Sequence, residues 1–129
     1  ISGPIMDRID LHVEVPRLSF DKLQQKGDEE RSFEIRARVE SAREIQKRRF
    51  EGLPIICNSE MSSDNIRKFC ALDEKCKELL RNAVSALKLS ARGYHRIIKI
   101  ARTIADLAKS ESIDSAHIAE AIQYRFKSE

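Results

Sequence analysis

The stretch SARGYHRIIKIARTIADLAK, residues 90–109, divides into two faces when its residues are spaced at about 100° each, as in an α-helix. Ser90 is a good helix cap, so the pattern predicts an amphipathic helix that begins directly after it. One face is apolar and suits a core, whereas the other is basic and its purpose is left open by the pattern. The apolar face consists of Tyr94, Ile97, Ile98, Ile100, Ala101, Ile104, Ala105, Leu107 and Ala108, and the basic face of Arg92, Arg96, Lys99 and Arg102.

Comparable patterns on both sides of this stretch predict further helices. A long helix from about residue 28 to residue 51 would end at Gly52 and Pro54. Its predicted core residues are Ile35, Val39, Ala42 and Ile45. Ser62 or Ser63 is expected to cap a short helix that reaches about Cys70.

Two more helices complete the prediction. One opens at Asp73 and lines one side with Cys76, Leu79, Leu80, Ala83, Val84 and Leu87. The last begins at Asp114, with Ile113 and Ile118 at the spacing of a hydrophobic staple, and runs through Ala121, Ile122 and Phe126. Four or five amphipathic helices joined by short links predict a mainly α protein, a compact helical bundle.

The first residues of the chain differ from this pattern. ISGPIMDRID, residues 1–10, contains a Gly-Pro breaker and indicates a loop. LHVEV, residues 11–15, alternates apolar and polar residues and stops at Pro16, which predicts one short strand. No second strand follows, so either this stretch is not a strand or it is an orphan strand whose sheet lies outside the chain, and we take the second alternative seriously.

Composition limits the classes of function. The 129 residues are 41% hydrophobic and 35% charged, typical of one globular domain, and no run of about 18 apolar residues or charged-then-apolar leader is present. We therefore expect a cytoplasmic protein with no membrane segment. Three cysteines and three histidines lack metal-ligand spacing, so we expect inert thiols and no metal site.

The net charge is only +3, but the basic residues are concentrated between positions 31 and 49. Seven bases there face three glutamates. Several of these charges are one helical turn apart, which favours an ordinary solvated surface. A face that contacts nucleic acid or phosphate is the alternative, and it stays open.

Motifs for enzyme chemistry are missing from the sequence. It contains no phosphate-binding loop, no dinucleotide fingerprint and no nucleophile elbow, and its four glycines are isolated. We therefore expect no catalysis by this chain alone.

Two motifs at opposite ends resemble a known family. ISGPIMDRIDLHVEVP near the start, and SARGYHRIIKIARTIADLA with HIAEAIQYR near the end, resemble the C-terminal part of magnesium-chelatase-like AAA+ ATPases of the YifB/ComM type, which are linked to competence and DNA branch migration. The resemblance implies that residues 1–16 close the AAA+ core and that residues 17–129 form its helical lid. It also implies that the intact protein hydrolyses ATP with Mg²⁺ in a hexameric ring that acts on DNA, whereas this fragment is monomeric and binds no nucleotide tightly.

The resemblance assigns roles to two arginines. Arg8 matches the arginine finger that is presented to nucleotide in the neighbouring subunit, a role that in general accelerates hydrolysis by roughly 10³ to 10⁵. The alternative for Arg8 is a salt bridge to Asp7 or Asp10. Arg92 matches the lid arginine called sensor 2, which contacts the γ-phosphate in its own subunit, and an ordinary surface base is its alternative.

For the other bases of that helix, Arg96, Lys99 and Arg102, we expect surface positions. The resemblance implies an alternative for Lys99 and Arg102, which is contact with phosphate or with acidic residues across a subunit interface. Two further classes of function stay open beside the ATPase lid: a helical module that binds nucleic acid and a bundle that binds other proteins.

Overall fold

The structure is a computed structural model that describes residue 11 and residues 31–124. Within these residues the chain forms five α-helices and one 3-10 turn, Asn58–Glu60. The helices are α1 (Ser32–Arg49), α2 (Ser63–Phe69), α3 (Glu74–Leu87), α4 (Ala91–Leu107) and α5 (Ser115–Gln123). The prediction of a mainly α fold is confirmed for this part. The strand predicted at residues 11–15 lies outside the described residues except for Leu11, which is in no strand.

Helix starts are where the capping residues predict them. The Ser62 hydroxyl accepts a hydrogen bond from the Asn65 N–H, and the Ser90 hydroxyl accepts one from the Gly93 N–H. The Asp73 carboxylate accepts a hydrogen bond from the Cys76 N–H at 2.8 Å. Each bond satisfies a backbone donor that the first helical turn would leave unpaired, so these caps fix the first turns of α2, α3 and α4.

Helix α4 is the centre of the core. Its apolar face is fully buried at Ile97, Ile98, Ala101 and Ala105, as its pattern predicts. The two alanines leave room for close approach by α5, whose Ile118 and Ala121 are completely buried. Helix α4 also contacts α1, α2 and the 3-10 turn, so its orientation is fixed from several sides.

Helix α1 differs from the prediction. It begins at Ser32, and its predicted core residues Ile35 and Val39 are 43% and 37% exposed. Only the C-terminal half meets the rest of the described protein, through Ala42, Gln46 and the following Phe50. The apolar residues of α1 thus recur towards its N-terminus beyond its buried residues. The helical period of a sequence indicates that a helix forms, but it does not show which part of the protein covers that helix.

Two helices end in a left-handed residue that is not glycine. Lys88 after α3 has φ of 51°, and Lys109 after α4 has φ of 57°. The backbone N–H groups of Leu89 and Ser110 donate to the carbonyl oxygens of Val84 and Ala105, so both ends are closed by hydrogen bonds. A lysine in this conformation is strained by its Cβ.

Candidate functional site

A buried network of polar side chains joins α1 to α4. The Asp106 carboxylate, fully buried, accepts hydrogen bonds from Arg49 Nη1 at 2.8 Å and Nη2 at 2.6 Å. It also accepts from Asn58 Nδ2 at 2.9 Å and from Arg102 Nε at 3.2 Å. Arg49 therefore makes a bidentate ion pair with a residue 57 positions away in sequence.

Arg102 belongs to this network, so the prediction that it is a surface base was wrong. Its side chain is 4% exposed, and it donates to the backbone carbonyls of Ser110 at 2.7 Å and Glu111 at 3.0 Å. The physical reason is that Asp106, one turn further along α4, neutralises the guanidinium inside the protein. Arg102 thus holds the turn after α4 and is not available to a ligand.

A second cluster of charge lies at the surface, at the N-terminal end of α4. Arg92, His95 and Lys99 are three and four residues apart, so they follow one another along one side of the helix. Together with residues that precede or begin α2, they line a recess of about 350 Å³. The other lining residues within the described part of the chain are Met61, Ser62, Ser63 and Ile66, and no carboxylate is among them. We call this the α4 recess.

The α4 recess suits an anion and not a metal ion. Arg92 is exposed, and His95 and Lys99 are half-buried. Lys99 Nζ donates a hydrogen bond to the backbone carbonyl of Ser59 at 3.1 Å, and Ser59 is not among the residues that line the recess. Guanidinium and ammonium groups bind phosphate or carboxylate oxygens, whereas a hard metal ion requires oxygen ligands. No group of three or more possible metal ligands is found in the described part of the chain.

Of the two predicted site residues, Arg92 and Arg8, only Arg92 is among the described residues. Arg92 and Lys99 both line the α4 recess, and the structure adds His95, which sequence reasoning missed. Its position three residues after Arg92 on the same helix was the available signal. Arg8 lies outside the described residues, so its role as an arginine finger stays a prediction.

The cysteines are not part of this site. Cys70 and Cys76 are buried, and burial raises the pKa of each thiol to about 11. Both are therefore poor nucleophiles, as expected for inert thiols. Cys57 is half-buried and lies within hydrogen-bonding distance of Ser59 and Glu60. Among the described residues, no helix is long and apolar enough to cross a membrane.

Fold and site together define a small helical domain with a cationic recess at the start of its central helix. Residues 29–125 match the family described as "Magnesium chelatase, subunit ChlI C-terminal". The match covers most of the chain, and the chain belongs to this family.

Several bacterial proteins are similar to the chain over nearly its whole length. It is 43% identical over 126 residues to "Competence protein ComM" of Haemophilus influenzae, and 38% identical over 128 residues to "Uncharacterized protein YifB" of Escherichia coli. These alignments cover 97% of the chain but only 24% of each relative. The chain thus spans about a quarter of the length of its relatives, and its resemblance to the ComM/YifB type is confirmed.

Proposed function

We propose that this chain is the close of the ATPase core, residues 1–16, and the helical lid, residues 17–129, of a bacterial AAA+ ATPase of the ComM/YifB type. In this proposal Arg92 contacts a phosphate group of the ATP that its own subunit binds. The observation that supports it best is the position of Arg92, exposed in the first turn of α4 in a recess to which the described residues contribute no carboxylate. Such a guanidinium can pair with a phosphate from outside the domain.

The packing of α4 explains how such a contact would act on the domain. The Ser90 cap fixes the first turn, and the apolar face of the same helix forms the centre of the core. A force on Arg92 is therefore transmitted to a rigid body and not to a loop. When hydrolysis removes the γ-phosphate, this contact is lost and the lid can rotate against the core.

The remaining parts of the proposal concern the intact protein. Arg8 would act across the subunit boundary of a hexameric ring in the cytoplasm, and the ring would use ATP to remodel DNA or drive branch migration. One relative carries the printed name "Competence protein", which supports a task in DNA processing. The Mg²⁺ that accompanies ATP would be bound by residues outside the described part of the chain, because the described residues contain no group of three or more possible metal ligands.

Steady-state ATP hydrolysis by the full-length protein, with and without branched DNA, tests these roles. We expect Arg92→Ala and Arg8→Ala each to lower turnover by at least about 10²-fold, since each removes a charge that stabilises the transferred phosphoryl group. Mixing the two variants should restore part of the activity, because one acts within a subunit and the other across the boundary. The control is Lys75→Met, which removes one exposed positive charge from α3 and should leave turnover unchanged.

Unchanged turnover in Arg92→Ala would refute the sensor role and leave a purely structural bundle as the better account. Loss of turnover without recovery on mixing would refute the division of roles between Arg92 and Arg8.

One exposed, basic side of α1 favours a second candidate function, binding of nucleic acid. Arg36, Arg43 and Lys47 are seven and four residues apart and so lie along one side of α1, with Glu40 close by. Among the described residues these three bases make no ion pair, unlike Arg48, which pairs with Glu44 at 3.6 Å. A steep loss of DNA binding with rising salt, reduced in an Arg43→Ala variant, would favour this function for the isolated chain.

A further inference from the structure

Two recesses of the described surface join into one groove that has no task in the proposal above. One recess, of about 440 Å³, runs along α4 towards the end of α5. The other, of about 310 Å³, lies between α1 and α4. Ser59, Thr103 and Leu107 line both, so the two are continuous, and we call them together the α1/α4 groove. Of its described lining residues, Lys99 alone also lines the α4 recess.

The groove is largely apolar and open to solvent. Val39 and Leu107 are 37% and 38% exposed, although both side chains are large and apolar. Ile35, one turn before Val39, extends the same exposed strip along α1. A contiguous apolar strip on a surface usually marks a place where another molecule binds. The aliphatic residues that line the groove are Leu11, Val39, Ala42, Ile100, Ile104 and Leu107.

The polar groups where the two recesses join are already hydrogen-bonded within the domain. The Thr103 hydroxyl donates to the Lys99 carbonyl at 2.9 Å and accepts from Asn58 Nδ2 at 3.0 Å. Lys99 Nζ donates to the Ser59 carbonyl at 3.1 Å, which holds the ammonium group at the groove. This junction therefore needs no polar partner from a ligand, and it can pack against apolar side chains.

The bases of α1 border the apolar strip, whereas its acids do not. At about 100° per residue, Arg36 and Arg43 lie about 60° and 40° from Val39 around the helix axis. The three glutamates of α1 lie at least about 100° from Val39 on the same measure. Arg43 is exposed and lines the groove. A ligand that covers the strip on α1 therefore meets positive charge beside it.

The wall formed by α4 and α5 has the same sign of charge. Arg96 and Lys99 line it from α4. Against them stands Glu120 of α5, whose carboxylate accepts a hydrogen bond from the Tyr124 hydroxyl at 3.5 Å. With Arg43, three bases and one carboxylate thus line the groove among the described residues. The complementary ligand is apolar in its middle and acidic at its margins.

This requirement separates the kinds of partner. A second copy of the chain would bring another α1, with seven bases and three glutamates between positions 31 and 49, so like charges would repel. A nucleic acid has the required charge, but its phosphates gain nothing from an aliphatic surface. The groove follows α4 from Arg96 to Leu107, which is about 16 Å or three turns of a helix.

We propose that the α1/α4 groove binds an acidic amphipathic helix of a separate protein. The apolar side of that helix packs on Val39 and Leu107, and its carboxylates face Arg43, Arg96 and Lys99. Anchoring by apolar side chains on successive turns is the usual way in which a helix binds in a groove. The inference goes beyond the proposed function, because it requires neither ATP nor Arg92.

The probe is a synthetic peptide of about 15 residues built from alanine, leucine and glutamate, with leucines along one side and glutamates on both flanks. It is titrated into the 129-residue chain and followed by NMR. We expect a dissociation constant of about 0.1 mM at low salt, with shifts concentrated along the groove. The same peptide with lysine in place of glutamate should bind at least about tenfold more weakly, because the groove is basic.

Variants of the chain separate the apolar contact from the charge. Val39→Gln and Leu107→Gln should each weaken binding about tenfold, the loss of one buried aliphatic side chain. Arg43→Gln should weaken it about threefold at low salt and have no effect at about 1 M salt, where exposed charges are screened. Ile56→Gln is the matched apolar control, since Ile56 is 74% exposed and does not line the groove. Lys75→Met is the matched control for charge.

Val39 and Leu107 lie on different helices and are already partly exposed, so at least one of the two variants should keep native amide spectra. Equal binding of the glutamate and lysine peptides would overturn the acidic partner. Equal effects of Leu107→Gln and Ile56→Gln, or of Arg43→Gln and Lys75→Met, would overturn the groove as the site.

The same experiment identifies the other occupants. If the peptide binds the 129-residue chain but not the full-length protein, the rest of that protein covers the groove and the separate partner is refuted. Concentration-dependent shifts at Val39 and Leu107 without peptide would assign the groove to a second copy. Binding of duplex DNA that Val39→Gln weakens as much as Arg43→Gln would assign it to nucleic acid. ATP hydrolysis that depends on Arg92 and Arg8 would leave the proposed function standing in each of these cases.

Discussion

Asp106→Asn is expected to destabilise the domain by about 3–5 kcal/mol, the usual cost of removing one partner from a buried ion pair. The carboxylate accepts four hydrogen bonds, two from Arg49 and one each from Asn58 and Arg102. Asparagine keeps one acceptor oxygen but presents an N–H₂ group where the other oxygen was. That group would face the donors Arg49 Nη1 and Asn58 Nδ2, which contact the same oxygen of the native carboxylate.

The magnitude follows from these contacts. At least two charge-assisted hydrogen bonds are lost, each worth about 1.5–3 kcal/mol, and two guanidinium groups lose their counter-charge. The side chain of Arg49 is 13% exposed, so water can compensate it in part. Arg102 keeps its bonds to the carbonyls of Ser110 and Glu111. Because of these compensations, we expect the destabilisation to stay within about 3–5 kcal/mol and not to reach the sum of all the lost interactions.

Urea denaturation gives the free energy of unfolding and the m value, and a thermal scan should show a melting temperature lower by at least about 10 °C. The matched control is Glu78→Gln, which removes the exposed ion pair with Arg81 and should change stability by less than about 0.5 kcal/mol. In an Arg49→Met background, Asp106→Asn should cost about 1–3 kcal/mol less, because the two residues are coupled. A cost below about 1 kcal/mol for Asp106→Asn, with an unchanged m value, would refute this account of the network.

Two further predictions concern the helix end and the buried thiols. Lys109→Gly should raise the free energy of unfolding by about 0.5–1 kcal/mol, because the φ of 57° is strained for lysine and not for glycine. Chemical denaturation measures this change, and Lys75→Gly, a substitution within a helix that should lower stability, is the control. A loss of stability in Lys109→Gly would contradict the strain. Burial raises the pKa of Cys70 from 9.0 to about 11, so the folded state holds the thiol proton more tightly than the unfolded state does. The contribution of this thiol to stability is therefore complete below pH 9.0 and is lost as the pH rises from 9.0 to about 11. A Cys70→Ala variant should lose less stability over that interval, and an identical pH profile would show that the thiol is not responsible.

The sequence was a good guide to local structure. Ser62, Asp73 and Ser90 mark helix starts because their side chains satisfy backbone donors a few residues away. The apolar face of α4 was predictable for a similar reason, since the period of the helix places Ile97, Ala101 and Ala105 on one side. The same pattern placed Arg92 in the first turn, outside the core.

Arg102 shows where such reasoning stops. Its charge and its position among other bases indicate a surface residue, yet it is buried because Asp106 and the end of α1 meet there. The apolar residues Ile35 and Val39 show the opposite error, since both are partly exposed. In both cases the side chain was classified by its own polarity, whereas its burial depends on the groups opposite it.

By itself, the sequence determined the helices, their caps and the family, because each depends on neighbouring residues or on a continuous motif. Only the tertiary structure decided which charges are internal and which face solvent. It gave Arg102 and Arg49 a shared carboxylate from α4, and it placed His95 and Lys99 in a recess whose described lining residues include no acid. The physical reason is that the energy of a charge is set by the solvent and partners around it, and these come from parts of the chain that are distant in sequence.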